Sequence, residues 1–118
     1  MSKAEKLNLI SGELTDAIAG HCVKADEAMK TMEKMNITPE RFREASEALA
    51  HHTYAGGYLG HILNVVETGD IKKSENAMRF HCYQLRLKGT IGETDEHSKA
   101  QCEVADLLDS IVIRFFED

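Results

Sequence analysis

Apolar residues recur every three or four positions along most of the chain, and this spacing restricts the fold more than any other feature. Such spacing is typical of helices that bury one face in a bundle. Only one of the 118 residues is a proline, and Ala, Leu, Met and Glu, which favour helix, are frequent. The sequence therefore predicts an all-α protein.

Four helices are predicted, at about residues 4–35, 39–68, 71–88 and 94–116. Thr38 followed by Pro39 is typical of a helix start, and Gly69 followed by Asp70 of a helix end and a new start. The connections are short, which makes neighbouring helices antiparallel. We therefore expect an up-down four-helix bundle that forms a single domain over residues 1–118.

The second helix carries an apolar stripe that we expect to face the core. It consists of Phe42, Ala45, Leu49, His52, Gly56, Leu59, Leu63 and Val66. Three glycines, Gly56, Gly57 and Gly60, interrupt this helix, and glycine is about 1 kcal/mol less favourable than Ala within a helix. They indicate either a kink or a close approach by another element.

Charge is unevenly distributed along the chain. The net charge is −6, with 14 basic and 20 acidic residues, so a nucleic-acid partner is not expected. Residues 71–88 have a balance of +4 and residues 93–118 a balance of −6. This asymmetry indicates either a basic helix packed beside an acidic one or an acidic surface for a basic partner.

The three cysteines, Cys22, Cys82 and Cys102, are an odd number and include no C-x-x-C pair. A disulfide framework and a zinc knuckle are therefore not expected. No apolar segment approaches the ~20 residues of a membrane span. With no secretion signal recognised, we expect a cytoplasmic protein that does not enter a membrane.

Histidines are frequent near the predicted core. Folding the helices about their connections puts His21, His52 and His97 near one level, with His81 about one turn away. Such a layer could hold a metal ion or haem inside a bundle. The usual Glu-x-x-His and His-Glu-x-x-His spacings are absent, and the alternative is hydrogen-bonded histidines with no cofactor.

A second face of helix 2 is rich in Tyr and His. His51, Tyr54, Tyr58 and His61 lie about 150° around the helix from the apolar stripe. Both residue types are amphipathic, and Tyr is enriched at binding hot spots. We expect this face to dock a partner or a second copy of the chain, unless the bundle covers helix 2 on both sides.

The segment His52-Thr53-Tyr54-Ala55-Gly56-Gly57 resembles the phosphorylated-histidine motif of histidine phosphotransfer domains. The resemblance covers about six residues and implies a four-helix bundle in which His52 accepts a phosphoryl group. Gly56 stands where the family has the glycine that clears space beside the imidazole. Ala55 replaces the usual lysine, and Tyr58 stands where a small residue is usual.

These patterns favour a non-enzymatic protein that binds another macromolecule as a regulator, inhibitor or adaptor, or that forms a homodimer. No catalytic residue and no cofactor are expected in this interpretation. The Tyr/His face of helix 2 is the first candidate surface. The second is the acidic face of helix 4, formed by Asp95, Glu96, Glu103, Asp106 and Asp109.

Overall fold

A computed structural model describes residues 1–90 and 96–117. Within these residues the chain forms four α-helices and no strand. The helices are α1 (Lys3–Met32), α2 (Pro39–Thr68), α3 (Ile71–Thr90) and α4 (Glu96–Phe116). They pack as a four-helix bundle, which confirms the predicted fold class, while the up-down order stays a prediction from the short connections.

The helix starts follow from local side-chain chemistry. The Thr38 hydroxyl accepts a hydrogen bond from the Arg41 amide at 3.2 Å, and the Asp70 carboxylate accepts one from the Lys73 amide at 2.8 Å. These bonds satisfy amides that have no partner inside the helix. Gly69 is needed at the connection between α2 and α3 because a Cβ there would lie 2.8 Å from the Val65 carbonyl oxygen.

The first helix ends three residues earlier than predicted. It stops at Met32, and Asn36 takes the left-handed conformation with φ of 63°. Asn tolerates this conformation better than most residues. The chain therefore turns over residues 33–38 before Thr38 begins α2.

The core is built by all four helices. Its largest fully buried side chains are Ile10, Leu14, Leu59, Ile62, Met78, Leu85, Leu108 and Ile111. The expected inward stripe of α2 is partly wrong, because Phe42 is 45% exposed, and Leu49 and Leu63 are only half-buried. The reason is that α2 packs against three helices, α1, α3 and α4. The most buried side of α2 is therefore the one that carries Ala55, Leu59, Ile62 and Val66.

Candidate functional site

Three histidines and one carboxylate meet where α1, α2 and α4 come together. His21 Nδ1 lies 2.9 Å from His52 Nδ1, and His21 Nε2 lies 3.4 Å from a Glu103 carboxylate oxygen. The other oxygen of Glu103 lies 2.5 Å from His51 Nε2. His21 is buried and connects the two halves of this group, which we call the histidine cluster (His21, His51, His52 and Glu103).

One arrangement of protons satisfies every short contact in the histidine cluster. A carboxylate only accepts hydrogen bonds, so His51 donates from Nε2 to Glu103, and the charge of the same carboxylate, 3.4 Å away, favours the proton of a neutral His21 on Nε2. A neutral His21 then accepts at Nδ1 from the Nδ1–H of His52. This leaves Nε2 of a neutral His52 with a free lone pair.

Burial lowers the pKa of two of these imidazoles. For His21, burial is the main cause, and the neighbouring Glu103 partly opposes it. For His52, burial again comes first, followed by the nearby His51 and His21. Because desolvation disfavours the charged form, both rings favour the neutral state, which His21 needs in order to accept at Nδ1.

A second polar group joins α2 to α3 and α4. The Tyr58 hydroxyl shares a hydrogen bond with His81 Nδ1 at 2.6 Å, and Gln101 donates to the Tyr54 hydroxyl at 3.1 Å. Burial raises the pKa of Tyr58 and lowers that of His81. Both shifts favour a neutral phenol beside a neutral imidazole.

The predicted Tyr/His face is therefore not an open surface. Tyr54 and Tyr58 are half-buried and pack against the core, because α3 and α4 lie on this side of α2. His51 is turned toward Glu103, and only His61 of the four is exposed. The expectation of an exposed aromatic face on α2 is corrected in this respect, and a partner-binding role for these residues stays a prediction.

The acidic residues of α4 are largely engaged by basic or imidazole groups. Glu103 belongs to the histidine cluster, and Arg86 of α3 lies 3.0 Å from Asp106 and 3.5 Å from Asp109. The basic helix thus packs beside the acidic one, as one of the two interpretations of the charge asymmetry predicted. Glu96 begins α4, and Asp95 lies outside the described residues.

The expected single histidine layer is split into separate contacts. His21 and His52 meet, but His81 lies against Tyr58 and His61, and His97 lies 5.0 Å from the Tyr54 ring. In the described part of the chain, no group of three or more His, Cys, Asp or Glu side chains is placed to hold a metal ion. The bundle therefore does not bring His97 and His81 into contact with His21 and His52.

The sequence patterns did not single out an exposed apolar stripe on α3. Phe80, Tyr83 and Leu87 are 57%, 68% and 47% exposed, and they follow one another at three- and four-residue spacing. The Phe80 ring lies edge-on to His81 at 5.4 Å between ring centroids, and His81 lies 5.6 Å from His61. We call His61, Phe80, Tyr83 and Leu87 the α3 surface. The spacing of these residues is visible in the sequence. Which side of α3 faces outward is shown only by the packing of α3 against α4.

Comparisons with known proteins add no family. No protein-family model, curated protein or solved structure matches the chain. None of the helices described is both long enough and apolar enough to cross a membrane.

Proposed function

We propose that this chain is a non-enzymatic binding protein, a regulator, inhibitor or adaptor, that contacts another protein through the α3 surface. The observation that carries the proposal is the exposure of Phe80 and Tyr83, at 57% and 68%, on one side of one helix. A cluster of large apolar side chains left in water marks an interaction site more often than an isolated one does.

The chemistry of this surface suits a protein partner. Aromatic side chains cover a large area with little conformational entropy to lose, and they are enriched among the residues that dominate binding energy. His61, from the Tyr/His face of α2, is exposed and lies 5.6 Å from His81, whose ring neighbours that of Phe80. The contact region is thus displaced by one helix from α2 to α3.

A photo-crosslinking amino acid at position 83 tests this proposal, with the same group at Leu9 of α1 as the control, since Leu9 is 49% exposed. We expect a protein to be captured at position 83 and not at position 9. The purified partner should then bind the double variant Phe80→Ser, Tyr83→Ser at least tenfold more weakly, a loss of about 1.4 kcal/mol or more. Equal capture at both positions, or unchanged affinity of a folded double variant, would contradict the proposal.

A second candidate function, phosphoryl transfer through His52, is favoured by one observation. With Nδ1 of His52 hydrogen-bonded to His21, its Nε2 is the nitrogen left to act as a nucleophile. His52 also lines a cavity of about 550 Å³ between α1 and α2, together with Lys24 and Arg41. These cations would take the role of the lysine that Ala55 replaces, although Glu27 and Glu44 line the same cavity and balance their charge.

Incubation with acetyl phosphate tests this second candidate. The Nε2 lone pair of His52 would attack phosphorus, the bond from phosphorus to the acetyl oxygen would break, and acetate would leave. We expect an acid-labile, base-stable phosphate that is lost in His52→Gln and retained in the control His61→Gln. No label on the wild-type chain, or equal label on both variants, would exclude the role.

A further inference from the structure

We propose that two copies of this chain associate through the face of the α1–α2 pair that lies opposite α3 and α4. We call this the outer face. On α1 it consists of Thr15, Ile18, Cys22, Ala25, Met29 and Met32. On α2 it consists of Phe42, Ser46, Leu49, Thr53, Gly56 and Gly60.

Helix geometry places the outer face away from α3 and α4. The α2 side chains that reach those helices include His51, Tyr54 and Tyr58, and from α1 Glu13 reaches Arg114 at 2.6 Å and His21 lies 3.4 Å from Glu103. At 100° per residue the α2 members of the outer face, and Thr15, Cys22 and Met29 of α1, lie 80° or more around their helices from these side chains. Ile18, Ala25 and Met32 lie nearer to His21, at the boundary with the core. The inference thus concerns a different surface from the α3 surface and does not depend on it.

The outer face is free of charge although it is accessible to water. Charged residues make up 29% of the chain, yet none of the twelve positions carries one; Asp26, 40° around α1 from Cys22, lies at the edge of the face and pairs with Lys30. None of the twelve is fully buried, and Met29 and Phe42 are 48% and 45% exposed. Depletion of charge is the compositional mark of an interface core. It also keeps acidic groups apart when two copies of net charge −6 approach.

Large and small residues lie at opposite ends of the outer face. Met29 and Phe42 lie toward the connection between α1 and α2, where they project into water. Gly60, together with Gly57 beside the face, lies toward the other end, where a Cβ at either position would meet no heavy atom within 4 Å. One end of the outer face therefore carries projecting side chains, which we call the knobs. The other end is a shallow depression, which we call the trough.

An antiparallel pairing of two copies brings the knobs onto the trough. The contact of His21 with His52 sets Cys22 level with His51. About a two-fold axis at this level, Phe42, nine residues before His51, lies opposite Gly60 of the other copy, nine residues after it. Met29 likewise lies opposite Thr15, each seven residues from Cys22. This self-complementarity is what an isologous interface requires, and it singles out a second copy as the occupant.

The size of the face is sufficient for a dimer of moderate affinity. A stripe of about 19 residues is about 28 Å long, and two helices side by side are about 20 Å wide. This gives a footprint on the order of 550 Å² per copy, below the roughly 800 Å² per partner of a standard interface and in the range of weaker complexes. We expect dissociation in the micromolar range.

Sedimentation equilibrium over a range of concentrations tests the proposal on the full chain. We expect a dimer of twice the 13.2 kDa monomer mass, and at least a tenfold rise in Kd for Gly60→Glu and for Phe42→Glu. Gly12→Glu is the matched control, because Gly12 is also an open helical glycine but lies off the outer face. It should dimerise like the wild type. Circular dichroism of each variant checks that the helices remain.

The native Cys22 gives a second, independent readout. It is exposed and lies on the proposed axis, whereas Cys82 and Cys102 are half-buried. A short bismaleimide should therefore link two copies through Cys22, and Cys22→Ser should abolish the link. A wild-type chain that stays monomeric at hundreds of micromolar, or dimers that tolerate both glutamate substitutions, would overturn the proposal even if the α3 surface binds its own partner.

Discussion

At the scale of single residues, Gly56 shows how a missing side chain brings two helices together. A Cβ at Gly56 would lie 3.4 Å from the Cβ of His21, whereas Gly57 and Gly60 face open space. The helix α2 runs unbroken through all three. The sequence indicated either a kink or a close approach by another element. Gly56 is a site of close approach, whereas Gly57 and Gly60 leave surface that no side chain covers.

This difference predicts unequal gains from the same substitution. Gly12→Ala should raise the free energy of unfolding by about 1 kcal/mol, because Ala favours helix and Gly12 has open space around it. Gly56→Ala should gain less, since its added methyl group would stand 3.4 Å from the His21 Cβ, at the near limit of van der Waals contact. Urea unfolding of both variants measures the difference. An equal gain at the two positions would show that the approach of α1 to α2 is looser than described.

Residue patterns predicted part of the histidine cluster. The contact between His21 and His52 follows from folding α1 and α2 about their connection, and the sequence placed them near one level. The contact of His51 with Glu103 joins residues that the sequence assigned to two separate surfaces. No spacing rule connects positions 52 residues apart on helices whose rotation is unknown, so this carboxylate could not be found from the sequence.

At the scale of helices, the residues at which the helices begin could be predicted from the sequence. The rotation of each helix about its own axis could not. Thr38 and Asp70 cap their helices as predicted, because capping depends on a few neighbouring residues. The rotation of α2 depends on which of its two amphipathic sides meets α3 and α4. Both sides were plausible from the sequence, and the packing of α2 between α1 and the other two helices decides between them.

The cap of α3 gives a test at this scale. Asp70→Ala should lower the free energy of unfolding by about 1 kcal/mol, because the Lys73 amide loses its acceptor. Asp70→Asn is the control, since its side-chain oxygen can still accept this bond, and it should cost much less. Thermal unfolding followed by circular dichroism compares the two. Equal losses would mean that the charge at position 70, and not the hydrogen bond, stabilises the helix start.

At the scale of the whole molecule, the fold class followed from the sequence because it rests on periodicity and composition. In contrast, the choice of which charged side chains form ion pairs is made only when the helices assemble into the bundle. Glu13 and Arg114, 101 residues apart, form a bidentate pair with distances of 2.8 and 2.6 Å that joins α1 to α4. Together with the pairs of Arg86 and the histidine cluster, this pair surrounds the core with contacts that only the folded chain defines.

The buried histidines make the stability of the whole bundle depend on pH. Burial lowers the pKa of His21, His52 and His81 from the ordinary value of 6.5. The unfolded chain therefore binds protons near pH 6.5 that the folded chain takes up only at lower pH. Stability should be constant above about pH 7.5 and should fall as the pH drops through 6.5 toward the folded-state values, where it levels off again.

Urea midpoints between pH 5 and pH 8, at a protein concentration that keeps the chain in one association state, measure this dependence. Each unit by which folding lowers a histidine pKa corresponds to about 1.4 kcal/mol of stability lost on full protonation. His81→Gln should flatten the decline because it removes one of the three groups. His61→Gln should flatten the decline less, because the charge of His61 is only the second cause of the lowered His81 pKa, after burial. A midpoint that stays constant or rises toward pH 5 would contradict neutral, buried imidazoles and would indicate that Glu103 holds His21 in its charged form.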